Sequence, residues 1–303
     1  MAWRSSRLLL AAAVLATAAA CGAPAHTDGD LTNGWPMLPS AKYVPPQAGQ
    51  CLAGGPFSAF EKPDRAVLVA VDCAQEHSVE VVATGTVAGD ALPAWDSDPT
   101  RAAYAACDQQ SSAYAGGDWR TGRLFPFLSL PSQAAWQGGV RTYVCGLAEA
   151  GDDLFAPAPR TGSVKDGLKD PRPLALTCVD LDGGDLTPEG FYRSVDAVTP
   201  VACTEPHDTE FVGAWAAPAG PFPADAQALN ATVSKACFTL VAAFMGLSEL
   251  QLYQRKDVYT FWDGLTQAQW QLGDRTAHCF LNVSTAKTLH RSLKGLGANP
   301  LPA

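Results

Sequence analysis

Basic residues are scarce in this chain: 21 Lys and Arg stand against 30 Asp and Glu, a net charge of −9 over 303 residues. A nucleic-acid partner held by phosphate contacts is therefore excluded. No Cys-x-x-Cys pair occurs, the closest neighbours being Cys51 and Cys73, which argues against a thioredoxin-like redox motif or a zinc ribbon. Catalytic signatures are missing as well. There is no Gly-x-Ser-x-Gly elbow, no His-Glu-x-x-His, no Gly-x-x-x-x-Gly-Lys, and no Gly-x-Gly-x-x-Gly opening a helix, so no catalytic residue, metal or cofactor is assigned by motif. What is present is a globular composition, 47% hydrophobic with eight Trp and nine Cys. It rules out disorder, collagen and coiled coil, and suits one large domain or two small ones.

The first apolar run, Leu8 to Ala20, is 13 residues long and follows Arg4 and Arg7. A spanning helix needs roughly 20 residues, so residues 1–20 read as an export signal. Ala18-Ala19-Ala20 offers a small-x-small peptidase site. Ala19-Ala20-Cys21-Gly22 resembles a bacterial lipobox, departing from it at Ala18, where Leu is more usual. The expectation carried forward is acylation of Cys21 and attachment to the cell membrane through that lipid, on the extracytoplasmic face. Loss of Arg4 and Arg7 takes the charge from −9 to −9 − 2 = −11. Residues 21–50, with Pro24, Pro36, Pro39, Pro45 and Pro46, read as a tether.

Export changes the meaning of the remaining cysteines, since an even, widely spaced set in an oxidising compartment reads as disulfides. Cys51, Cys73, Cys107 and Cys145 form one set of four, and Cys178, Cys203, Cys237 and Cys279 a second with matching intervals. Flanking residues agree. Cys73-Ala-Gln-Glu-His77-Ser-Val-Glu80 parallels Cys203-Thr-Glu-Pro-His207-Asp-Thr-Glu210, and Trp136, Arg141 and Cys145 parallel Trp270, Arg275 and Cys279 in register. A weaker echo pairs Ser163-Val-Lys165 with Ser292-Leu-Lys294. The chain is thus an internal repeat, residues 51–168 and 178–297, joined by a short Pro-containing link.

The leading Cys, the Cys-x-x-Pro-His-x-x-Glu stretch, a helix bearing Cys, Trp-x-x-Gly-x-Arg-x-x-x-Cys and a closing Ser-Leu-Lys-Gly resemble the septum formation domain of actinobacterial exported and membrane proteins. The second repeat matches closely. The first lacks the Pro before His77 and carries Val140 where the second has Asp274. The resemblance implies an extracytoplasmic role connected with division or the envelope, and attaches no chemistry to it.

Asp225, with Leu229, Val233, Cys237, Leu240, Val241 and Phe244 behind it and Gly246 near the end, predicts an amphipathic helix. Its counterpart starts at Asp98-Pro99 and carries Tyr104 and Cys107. Short apolar or alternating runs around Val69, Val79 to Val82, Phe211 to Trp215, Val258 to Phe261 and Arg275 to Asn282 predict strands. The fold class expected is α+β: two related modules, each a small antiparallel sheet packed on a helix and stabilised by two disulfides. Four cysteines allow three pairings per module. First with second and third with fourth is preferred, because the first two sit on adjacent strands while the third must fasten the helix to the sheet.

The repeated polar residues are the candidates for chemistry. His77 and Glu80, like His207 and Glu210, are three apart in a segment leading into a strand. Alternation there sends them to opposite sides, which disfavours joint metal ligation. The structural reading has His capping a turn and Glu hydrogen-bonding or pairing with a base; in the ligand reading His278 is the available third group. Arg141 beside Trp136, and Arg275 beside Trp270, either present a guanidinium to an anionic envelope ligand or pair with Glu80 and Glu210. Of the two, the internal pairing is expected. Two functions follow: a non-enzymatic envelope lipoprotein binding an envelope protein or wall component, and an exported ligand-binding or hydrolytic protein with a site between the repeats.

Overall fold

The computed structural model describes residues 43–55, 57, 59–60, 62, 67–151 and 156–302. The export signal, Cys21 and most of the expected tether lie outside the described residues. Val44–Ala303 forms one compact unit.

The first module runs β1 (Cys51–Gly55), β2 (Val67–Val71), β3 (Val79–Thr86), α1 (Asp98–Ala115), β4 (Leu124–Ser129), α2 (Gln133–Gln137) and β5 (Thr142–Glu149). The second repeats this as β6 (Cys178–Gly183), β7 (Val195–Val201), β8 (Thr209–Ala216), α3 (Ala226–Met245), then α4 (Glu249–Gln254), β9 (Val258–Gly264), α5 (Gln267–Leu272) and β10 (Thr276–Val283). Both sheets are five-stranded and antiparallel, in the orders β2-β1-β3-β5-β4 and β7-β6-β8-β10-β9. The internal repeat in sequence is therefore a repeat of topology.

Each long helix is delimited by its own residues. Asp225 accepts from the Gln227 and Ala228 amides at the start of α3, satisfying donors that the first turn leaves free. Pro99 occupies the first turn of α1, where its missing N–H costs nothing. Both helices end on a left-handed glycine, Gly116 at φ 80° and Gly246 at φ 74°, a conformation other residues adopt only with strain. Val233, Cys237, Val241 and Met245 recur at helical spacing on the buried stripe of α3. By length and mean hydropathy (1.4) α3 could span a membrane. Here it is packed on its sheet and tied to β10 through Cys237–Cys279.

Four disulfides are present, Cys51–Cys73, Cys107–Cys145, Cys178–Cys203 and Cys237–Cys279, which is the pairing preferred from the sequence. One bond per module ties the first strand to the turn that follows the second, Cys73 after β2 and Cys203 after β7, and the other fastens the long helix to an interior strand, β5 or β10. Each contributes on the order of 2–4 kcal/mol, mainly by restricting the unfolded chain.

The modules do not hang as separate beads. Leu168 and Leu174, on either side of the link, sit in the first core, while Leu176 enters a core cluster of the second. Leu272 of α5 is buried in the first module's core. Arg123 N–H donates to Leu174 O and Leu176 N–H to Thr121 O, each through backbone bonds of 2.8 and 3.0 Å. The link is thereby part of both modules.

Candidate functional site

His77 and His207 stand just before β3 and β8 and not in them. His77 exchanges two backbone hydrogen bonds with Arg160, both 2.9 Å, and His207 exchanges two with Leu289, at 3.0 and 2.8 Å. Each ring Nδ1 closes a turn on a carbonyl two residues back, Gln75 O at 2.9 Å and Glu205 O at 2.8 Å. A carbonyl can only accept, so Nδ1 is the donor in both turns, the tautomer that puts the ring's lone pair on Nε2. Both imidazoles are 1% exposed, and neither Nε2 finds a hydrogen-bond partner among the described residues.

The glutamates act as latches on the closing segment of each repeat. Glu80 accepts from Ser163 Oγ and the Val164 amide, both at 2.7 Å, and from the Tyr114 hydroxyl. Glu210 accepts from Ser292 Oγ at 2.5 Å and the Leu293 amide at 2.6 Å. Behind each serine a fully buried residue, Val164 or Leu293, enters the core. The Ser-x-Lys echo is thus the other half of the His-x-x-Glu motif, joined to it across more than 80 residues. Burial raises the Glu210 carboxyl above its ordinary range, against the lowering effect of the Ser292 and Leu293 hydrogen bonds.

Two expectations are corrected. Arg141 and Arg275 do not pair with these glutamates. Arg141 lies 3.8 Å from the Trp136 ring centroid and donates to Trp136 O at 2.7 Å, and Arg275 lies 5.8 Å from the Trp270 ring. Each glutamate is already held by hydrogen bonds from its closing segment, and a guanidinium five residues from an indole reaches its face without crossing the sheet. The tryptophans anchor loops, Trp136 Nε1 on Asp90 O at 3.3 Å and Trp270 Nε1 on Gly220 O at 2.8 Å.

Second, His207 and Glu210 are not sent apart. A ring nitrogen of His207, a carboxylate oxygen of Glu210 and Cys178 Sγ lie within 4.8 Å of one another, all buried. The alternation rule fails because His207 precedes the regular strand. His278, the expected third ligand, is elsewhere: its Nε2 donates to Arg120 O at 3.0 Å, across the module boundary.

That boundary contains the cluster that residue patterns did not reveal. Arg120, in a short 3-10 turn (Trp119–Thr121) after α1, pairs with Asp108 at 2.8 Å and reaches Asp274 of the second module at 3.3 Å. Tyr104 O–H also donates to Asp274, at 3.3 Å, and the Trp119 indole N–H to Asp108 at 2.5 Å. Burial raises the Asp274 carboxyl despite Arg120. Burial also works against the Arg120 charge, but Asp274 and Asp108 outweigh it and hold the guanidinium above its usual range. Burial, helped by the Arg120 charge, pushes His278 down to about 4 against the hydrogen bond to Arg120 O and the Asp118 charge. The departure at Val140 and Asp274 was the one signal in the sequence: the odd aspartate of an otherwise matched motif is the residue that meets the other module.

On the surface, a groove of about 740 Å³ runs between α3, α4, β9 and the 187–193 loop, lined among others by Phe191, Tyr192, Arg193, Tyr253, Lys256 and Tyr259. Tyr253 is 70% and Tyr259 53% exposed, with Leu250 close by in sequence at 67%. A second cavity, about 450 Å³, opens at the link and is lined by Arg172, Cys203, Glu210, Ser292 and Lys294. His77 and His207 line neither.

No curated protein and no solved structure matches the chain. The family model described as septum formation matches residues 48–279, spanning both modules from before Cys51 to Cys279. The chain therefore belongs to the septum formation family.

Proposed function

We propose that this protein is a non-enzymatic lipoprotein of the cell envelope, held on the extracytoplasmic face by acylated Cys21 and binding an envelope protein or wall component during septum formation. Four disulfides suit an oxidising, extracytoplasmic compartment. The observation that carries the reading is the use made of the repeated polar residues: His77, Glu80, His207 and Glu210 are at most 2% exposed and are engaged in closing their own modules. The exposed face is instead aromatic, with Tyr253 and Tyr259 on the groove between α3, α4 and β9, the kind of amphipathic surface that serves as a contact anchor.

The test is localisation and depletion in a septating actinobacterium, using the full chain fused to a fluorescent protein at its C-terminus. Enrichment at septa, delayed septation on depletion, and release from the membrane fraction by Cys21→Ala are the expected results. A uniform membrane signal with normal septa would remove the division role, and unchanged membrane retention of Cys21→Ala would remove the lipid anchor.

A further inference from the structure

The second module holds a set of soft and borderline ligands that its disulfide keeps out of use. Cys178, 1% exposed, is bonded to half-buried Cys203. A ring nitrogen of His207, an oxygen of Glu210 and Cys178 Sγ lie within 4.8 Å of one another, and His207 Nε2, the ring nitrogen not held by Glu205 O, has no hydrogen-bond partner among the described residues. A buried imidazole lone pair left without a donor is uncommon and calls for an explanation. We propose that the Cys178–Cys203 bond guards a metal site: once a thiol reductant opens it, the Cys178 thiolate, His207 Nε2 and a Glu210 oxygen bind a divalent cation of the zinc type. This goes beyond the scaffold reading and does not depend on it.

The ligand chemistry is mixed sulfur, nitrogen and oxygen, the set that suits tetrahedral zinc. Metal–ligand bonds of about 2.0–2.3 Å in that geometry place ligand atoms roughly 3.3–3.8 Å apart. The present separations, within 4.8 Å, need to contract by about 1–1.5 Å at most, a movement shared between the Cys178 side-chain torsion released from its bond and small shifts of His207 and Glu210. His207 is oriented for the role by its Nδ1–H on Glu205 O, the outer hydrogen bond that metal-bound histidines ordinarily make. The Ser292 and Leu293 donors take one lone pair on each Glu210 oxygen, leaving others for the metal.

Access to the bond is from the cavity at the link. Cys203 lines it together with Arg172 and Lys294, whose charges attract an incoming thiolate. In the first exchange the reductant sulfur bonds to Cys203 Sγ, the Cys178–Cys203 bond breaks, and its electron pair leaves on Cys178. A second reductant thiolate then takes the first as a disulfide and leaves Cys203 as thiolate, available as a fourth ligand. Protein disulfide is reduced, two reductant thiols are oxidised, and the metal takes the place of the thiol protons.

Module 1 provides the internal comparison. Its corresponding Cys51, His77 and Glu80 are not gathered within the same distance of one another, and Glu80 is occupied by a third donor, Tyr114. The test uses the full chain with Cys203→Ser, which presents Cys178 as a free thiol without any reductant, and Co²⁺ followed by Zn²⁺ as probes. One equivalent of cobalt with a thiolate-to-cobalt charge-transfer band, displaced by zinc, is expected. The oxidised native chain and Cys73→Ser should lack the band. Adding His207→Ala should weaken binding by at least about 10–100-fold. Should Cys203→Ser fail to fold, the native chain reduced by a phosphine supplies the same thiols. Absence of the band in both thiol forms, an equal band in Cys73→Ser, or unchanged affinity in His207→Ala would each overturn the proposal.

Discussion

Replacing Asp274 by valine, the residue that the first repeat carries in the matching place, isolates what joins the modules. Asp274 is 3% exposed, accepts from the Thr276 amide at 3.0 Å and from Tyr104 O–H at 3.3 Å, and lies 3.3 Å from the Arg120 guanidinium. Its removal strands two buried donors, at about 1–3 kcal/mol each. Arg120 is not abandoned, because Asp108 remains at 2.8 Å, so the full 3–5 kcal/mol of breaking a buried ion pair does not apply. Valine also relieves the desolvation that raises the Asp274 carboxyl. The net expectation is a loss of about 2–4 kcal/mol, or about 4–16 °C in Tm for a unit of this size. Urea and thermal unfolding of the non-reduced chain, followed by tryptophan fluorescence, measure it. A cycle with Arg120→Met should show coupling of about 1–3 kcal/mol, and the valine variant should begin to unfold in two steps as the modules part. A change below about 0.5 kcal/mol, or additive single effects, would refute the interface as the source of the joint stability.

His278 tests the same boundary through pH. Its folded value of about 4 lies below the ordinary 6.5, so the unfolded chain binds the extra proton between these limits. The stability it contributes is present above pH 6.5 and is lost as pH falls toward 4, by about 3 kcal/mol in total. Asp208, raised to about 6 by burial, and the raised Glu210 and Asp274 act with the opposite sign. The comparison is therefore native against His278→Gln, whose stability difference should fall by that amount between pH 6.5 and 4 and stay level above; a difference constant with pH refutes it. The latches give a third prediction. Ser292→Ala should cost about 1.5–3 kcal/mol, and Ser163→Ala less, because Glu80 keeps the Tyr114 hydroxyl as well as the Val164 amide. Equal costs in urea unfolding would contradict the assignment.

Much of the fold could be read from local pattern. The limits of α1 and α3 follow from Asp98-Pro99, Asp225, Gly116 and Gly246, because caps and left-handed glycines act within a turn of themselves. The short helices α2, α4 and α5 escaped notice, since five or six residues hold too little periodicity. Among the candidate residues, the turn made by each histidine was legible, as its partner is two residues away. The partner of each glutamate was not, although Ser163 and Ser292 were visible as an echo.

The chain's own residue order determined the duplication, the α+β class, the cysteine sets and the family, because these depend on spacing and on residue types that chain neighbours can report. Only the tertiary structure decided that Glu210 bonds Ser292, that Arg275 turns to Trp270, that His207 faces Cys178, and that Asp274 meets Arg120. These are contacts between groups separated by five residues in one case and by 29 to 154 in the others. Such pairings are set by how two sheets and their helices pack, and by which buried charge finds a partner when the modules close on each other.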